Sequence, residues 1–151
     1  MLTPVIFGCE GLRLSTQEFV FFAQSQPFGF ILFSRNLESP AQINSLCATL
    51  RDCVGWDAPI MIDQEGGRVA RLGKPHWFEF PAALDHANHT NSKRLFWLRG
   101  RLIAENLYSS GIDANCAPLG DIARPNTHPV LRNRCYGYDK ATVITNASAL
   151  N

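Results

Sequence analysis

The stretch Ile60-Met61-Ile62-Asp63-Gln64-Glu65-Gly66-Gly67-Arg68-Val69-Ala70-Arg71 concentrates the side chains that could do chemistry. An apolar run ends abruptly in carboxylates, a glycine pair and arginines, as a buried strand does when it delivers polar groups to a site at its carboxyl end. Asp63, at the tip of that run, can accept hydrogen bonds from two neighbouring hydroxyls, which is how proteins hold sugar diols. Capping the loop or pairing with Arg68 is its structural alternative. Glu65 shares a face with Asp63 only if the strand continues, and the glycines that follow argue that it does not. Its spacing leaves two roles open: one half of a glycosidase acid/base pair, or a loop-ordering partner for an arginine. Arg68 and Arg71 carry forked donors suited to carboxylates or sugar oxygens; Arg71 is the better ligand candidate and Arg68 the better structural one. Gly66-Gly67 permits positive φ and close backbone approach, without the surroundings of a phosphate loop. Asp121, three residues past Pro118, is expected to end a later strand as Asp63 ends its own, and Arg132 and Arg134 follow in a loop rich in Asn, Pro and His. His76, His86, His89 and His128 lack ligand spacing, and neither a nucleophile elbow nor a Ser-His-Asp pattern is present; no metal is expected.

The elements that must position these residues alternate strand and helix. Val5–Phe7, Gly29–Phe33, Pro59–Ile62 and Ile112–Ala117 read as strands, the second covered on both faces. Ser15-Thr16-Gln17-Glu18 fits a capping box ahead of Phe19, Phe22 and Ala23 at helical spacing. Ser39-Pro40 opens a helix whose apolar face is Ile43, Leu46, Cys47 and Leu50, with Gly55 as its stop. A third helix starts at Asn91 or Ser92, with Leu95, Leu98, Leu102, Ile103 and Leu107 on its buried side and Gly111 beyond its end. Asp139 caps a last helix that runs toward Asn151. Long loops from Gln64 to about Pro81 and from Pro118 to Gly137 are the functional candidates. The class is α/β, a run of about four βα units with right-handed parallel connections. Such a sheet leaves two strands as edges, a liability that points to a truncated chain. A complete (β/α)8 barrel takes ~250 residues, so residues 1–151 are expected to be a single partial domain, cut at the C-terminus.

Composition narrows the partners. At 46% hydrophobic and 18% charged the chain is ordinary globular protein. A net charge of +1 gives no basic stripe for nucleic acid and no support for a membrane surface. No apolar run approaches the ~20 residues of a spanning helix, and Met1-Leu2-Thr3-Pro4 does not open a signal peptide. Cys9, Cys47, Cys53, Cys116 and Cys135 are odd in number and without C-x-x-C spacing, which favours reduced thiols in a cytoplasm.

Four stretches, in order along nearly the whole chain, carry a resemblance: Gly29-Phe30-Ile31-Leu32-Phe33-Ser34-Arg35-Asn36, the Ile62–Arg71 string, Ala117-Pro118-Leu119-Gly120-Asp121-Ile122 and Asn133-Arg134-Cys135-Tyr136-Gly137. With them the chain resembles the N-terminal half of family-3 glycoside hydrolases, most of all the bacterial β-N-acetylhexosaminidases of cell-wall recycling. The resemblance implies half of a TIM barrel and an exo-acting, retaining enzyme that works through a covalent glycosyl-enzyme, with no cofactor. Its small-molecule substrates would be N-acetylglucosaminyl-anhydromuramyl peptides. By the same resemblance Asp63, Arg71 and Arg134 bind the sugar, with Glu65, Arg68 and Asp121 in support. The family's K-H-F-P-G-H-G segment, with its acid/base histidine, and its aspartate nucleophile have no counterpart up to Asn151, so no catalytic residue is expected in this chain. Asn133 stands where an acidic residue is common, and Gly120 where an aliphatic one is. Two other readings accompany this one: a stand-alone sugar-binding or assembly module, whose edges a missing C-terminal half or self-association would cover, and a family-3 β-glucosidase.

Overall fold

The computed structural model describes all 151 residues. The elements are β1 (Thr3–Phe7), α1 (Thr16–Ser25), β2 (Pro27–Leu32), a 3-10 turn (Ser34–Asn36), α2 (Pro40–Val54), β3 (Ile60–Ile62), α3 (Ala83–Ala87), α4 (Ser92–Ser109), β4 (Ala114–Asn115), α5 (Pro129–Arg132) and α6 (Lys140–Leu150). They fall into two compact units, one of Met1–Asp63 with Asn106–Cys116, the other of Gln64–Glu105 with Ala117–Asn151. No helix is long and apolar enough to cross a membrane.

The first unit is built on a wholly parallel sheet of order β1-β2-β3-β4. Phe30, Ile31 and Leu32 register with Ile60, Met61 and Ile62, which in turn place Met61 and Ile62 beside Ala114 and Asn115. The helices begin where the expected caps stand. The Ser15 hydroxyl accepts from the Glu18 N–H at 3.2 Å, and the Glu18 carboxylate accepts from the Ser15 N–H at 3.0 Å. Ser39 caps α2 ahead of Pro40. Ile43, Leu46, Cys47 and Leu50 are all buried, as their spacing requires. On α1 only Phe22 is fully buried, edge-on to Phe30 at 5.2 Å; Phe19, expected on the same face, is 43% exposed. Burial pushes the Cys9 thiol up to about 11 and the Cys47 thiol up to about 12, so both stay protonated.

β4 is shorter than the Ile112–Ala117 run suggested. The flanking backbone still pairs: the Asp113 N–H donates to the Ile60 carbonyl at 2.9 Å and the Cys116 N–H to the Ile62 carbonyl at 2.8 Å. The Asp113 carboxylate also accepts from the Ile60 N–H at 2.8 Å and from Arg51 at 2.7 Å. Asp121 therefore does not end this strand. It lies on the exposed loop beyond, several residues past Asn115 and the N–H-less Pro118.

The second unit closes around Ala83, Phe96, Tyr136 and Val143, with Leu84, Ala123 and Cys135 beside them. α3 and α5 are short turns of helix inside segments that read as loop. The buried stripe of α4 is Phe96, Arg99, Ile103 and Leu107, while Leu98 and Leu102, expected inside, are 39% and 52% exposed. The stripe is rotated by about one residue because a charged side chain, Arg99, occupies its centre. α6 starts at its Asp139 cap, where the hydroxyl and N–H of Thr142 donate to the carboxylate and hold it below the usual range.

Asn36 shows how the turn after β2 is held. Fully buried, its amide donates to the carbonyls of Cys9 at 3.1 Å and Gly11 at 2.9 Å, and its oxygen accepts from the Phe33 N–H at 2.9 Å. Asn36→Ala strands these groups away from water, and we expect a loss of about 3 kcal/mol in urea denaturation.

Candidate functional site

β3 ends at Ile62, so Asp63 stands at the strand tip, as its sequence position implies, and belongs to the first unit. From Gln64 onward the string belongs to the second unit, where the hydrogen bonds explain its composition residue by residue. The Gln64 side chain, 3% exposed, folds back on its own loop. Its oxygen accepts from the N–H of Arg71 at 2.8 Å and of Leu72 at 2.9 Å, and its amide donates to the Leu72 carbonyl at 2.9 Å. One carboxamide thus fixes the backbone that carries Arg71.

Between those ends the chain turns tightly. The N–H groups of Glu65 and Gly66 both donate to the Val69 carbonyl at 2.9 Å, and the Gly67 N–H donates to the Phe80 carbonyl at 2.8 Å. Gly66 and Gly67 have φ of 105° and 57°. A Cβ on Gly66 would run into the Arg99 guanidinium and stand 2.8 Å from the Pro81 carbonyl. The glycine pair is therefore a backbone requirement with a packing reason.

Glu65 and Arg134 are brought together. The Glu65 carboxylate, 6% exposed, accepts from Arg134 Nε at 2.8 Å and Nη2 at 2.6 Å, a bidentate pair across 69 residues of sequence. Of the two roles open to Glu65, the structure takes the arginine partner. Arg68 is exposed and its guanidinium donates to the Val130 carbonyl in α5, the structural role favoured for it. Asp121 stands close enough to Cys135 to raise its thiol, though burial is the larger cause.

Behind Glu65 sits a cation that the sequence did not reveal. Arg99 is 1% exposed. Its guanidinium donates to the Glu65 carbonyl, lies 3.3 Å from Nδ1 of His86, and faces the rings of Phe80 and Phe96 at 5.4 and 6.0 Å. A guanidinium only donates, so His86 accepts through Nδ1. Burial and the charge of Arg99 depress the His86 pKa, which keeps that imidazole neutral. Tyr136 stacks on Phe96 with ring centroids 4.6 Å apart, and its buried hydroxyl has no partner. Burial pushes the phenol up to about 12, with Arg99 opposing. The signal for Arg99 was its place three residues after Phe96 and four before Ile103, which put a charge on the apolar stripe.

Two outcomes follow. Gly66→Ala forces the Arg99 guanidinium and the Pro81 carbonyl apart, and we expect a cost of about 3 kcal/mol in urea denaturation. Tyr136→Phe keeps the stacked ring and removes an unpartnered hydroxyl, so it should be neutral or stabilising by about 1 kcal/mol. Because the folded phenol titrates near 12 and the unfolded one near 10, the wild type loses stability as pH rises from 10 through 12. Melts across that range should show this alkaline loss reduced in Tyr136→Phe.

Most of this chain is similar to curated proteins. Over 129 residues it is 33% identical to a beta-hexosaminidase of Alkalilimnicola ehrlichii, covering 82% of this chain and 37% of that one. Over 149 residues it is 32% identical to a beta-hexosaminidase of Xylella fastidiosa, covering 96% and 44%. The chain thus spans less than half the length of these curated relatives. Among solved structures it superposes on NagZ from Neisseria gonorrhoeae in complex with N-trifluoroacetyl-D-glucosamine with a TM-score of 0.91 at 26% identity, covering 99% of this chain and 46% of that one. The parallel α/β fold expected from the sequence, the first part of a TIM barrel, is the one this neighbour has. Residues 12–150 match the glycosyl hydrolase family 3 N terminal domain, and the chain belongs to that family.

Proposed function

We propose that residues 1–151 are the sugar-binding part of an exo-acting, retaining β-N-acetylhexosaminidase, forming the first portion of a single barrel domain. The enzyme releases terminal β-linked N-acetylglucosamine from peptidoglycan fragments, N-acetylglucosaminyl-anhydromuramyl peptides, in the cytoplasm. Arg71 and Arg134 are sugar ligands in this reading, and Asp63 at the end of β3 is another. The chemistry runs through a covalent glycosyl-enzyme and calls on protein side chains alone.

The observation that carries this reading is the way the second unit holds two arginines in place. Gln64 fixes the backbone of Arg71, and Glu65 fixes the guanidinium plane of Arg134. Forked donors held before the ligand arrives suit a polar, uncharged sugar, which offers no ion pair to draw flexible arginines into line. The names of the relatives and the glucosamine derivative held by the neisserial neighbour support the same sugar. β1 and β4 are the outer strands of the sheet, and their coverage, by further chain or by self-association, is part of the proposal.

Purified residues 1–151 should hydrolyse no aryl N-acetylglucosaminide, whereas the full-length protein should. Turnover by residues 1–151 alone would refute the assignment of catalysis to other residues. A preference of the full-length protein for an aryl glucoside would shift the reading to a β-glucosidase. In that protein, Arg134→Ala should lower kcat/KM by about 10- to 100-fold, the worth of a charged hydrogen bond.

A further inference from the structure

A positive charge stands in the middle of the buried stripe of α4, among Phe96, Ile103 and Leu107. We propose that Arg99 is a positioning residue for sugar binding, which sets the aim of Arg134 through Glu65 and relies on the unprotonated ring of His86 to do so. The inference rests on the hydrolase reading above and extends it to side chains that lie behind the sugar arginines.

Packing alone does not account for the charge. An apolar side chain of similar volume at such a position is often neutral or stabilising, because it carries no desolvation penalty. Arg99 is 1% exposed and forms no salt bridge, since the Glu65 carboxylate, whose field it feels, is committed to Arg134. Its guanidinium takes two neutral acceptors instead, the Glu65 carbonyl and Nδ1 of His86 at 3.3 Å. Gly66 leaves the room that this approach requires.

That arrangement fixes Glu65 from behind. Its N–H donates to the Val69 carbonyl at 2.9 Å and its carbonyl accepts from Arg99, so both of its backbone polar groups are held. The side chain starts from a fixed point, and its carboxylate grips Arg134 at Nε and Nη2. Without Arg99 the carbonyl end of Glu65 is free to tilt, and a bidentate pair carries that tilt straight into the guanidinium plane. A displacement of about 1 Å is enough to weaken a positioned ligand contact.

His86 is the acceptor on which Arg99 depends. Its ring meets Phe96 edge-on, with centroids 5.8 Å apart. The charged and titratable groups around it are Arg99 from α4 and, from its own segment, the exposed Asp85 and His89. A proton on Nδ1 abolishes the acceptor and sets an imidazolium against a guanidinium. Burial, then Arg99, hold the His86 pKa below its ordinary value, with Asp85 opposing and His89 adding to the effect. Sugar affinity therefore falls as pH drops through the His86 pKa, and returns above it.

The test uses the full-length protein with an aryl N-acetylglucosaminide, and reads KM and kcat from about pH 7 down to about pH 5. The wild-type KM should rise toward the acid end. At neutral pH Arg99→Met should raise KM about tenfold and leave kcat within about twofold. Loss of folded enzyme lowers the apparent kcat and leaves KM alone, so this split separates positioning from a merely structural role. Arg99→Lys keeps the charge and a donor, and should recover part of the lost affinity. His86→Asn replaces Nδ1 with an amide oxygen that does not titrate. It should keep the neutral-pH KM and flatten the acid-side rise, and with Arg99→Lys it decides the matter if Arg99→Met does not fold. An unchanged KM in the Arg99 variants, or a wild-type acid-side rise in KM that is absent or that survives His86→Asn, overturns the inference while the hydrolase reading stands. Failure of the wild type to hydrolyse the compound at any pH overturns the hydrolase reading and the inference with it.

Discussion

The second unit depends on one constraint: a buried carboxylate and a buried guanidinium cannot stand there uncompensated. Removing either partner of such a pair typically costs 3–5 kcal/mol because the survivor keeps its desolvation penalty. Glu65 answers the constraint with its side chain toward Arg134 and its carbonyl toward Arg99. One residue thus holds a cation from the distant loop and another from α4. Gly66 must be a glycine because Arg99 fills the space beside it, and Phe80 is drawn in because the same cation faces its ring. The segment that reads as a functional string is equally the electrostatic keystone of its unit.

That overlap explains which parts were legible in the sequence. β2, α2 and the helix caps follow from local rules, and the structure keeps them because apolar spacing and cap chemistry agree with the packing around them. Asp63 was readable because a strand tip is a position that sequence marks. The pairing of Glu65 with an arginine was one of two open roles. Its partner at position 134 is 69 residues away, and nothing local selects it. Leu98 and Leu102 misled for a physical reason: leucine spacing fits a buried face, but interior space on α4 was taken by Arg99, whose charge is satisfied by a carbonyl on another segment. α3 and α5 have too few residues to show a period at all.

Gln64 illustrates the division of labour between shape and chemistry. Its carboxamide holds the backbone of Arg71 and Leu72, and so it sets the reach of Arg71. A glutamate there could not donate to the Leu72 carbonyl, and a shorter asparagine could not span the turn. Positioning by a neutral amide also avoids adding a further charge beside Glu65.

The discontinuous make-up of the first unit has a consequence for how the chain is made. Its sheet takes three strands from residues 1–63, but Met61 finds its outer neighbour only at Ala114. During vectorial synthesis, every residue between them must leave the ribosome before β4 can reach β3. Throughout that interval β3 presents an unpaired apolar edge, the kind of surface that invites association between nascent chains. The length of the intervening excursion, more than the strength of any strand, sets how long the newborn sheet stays open.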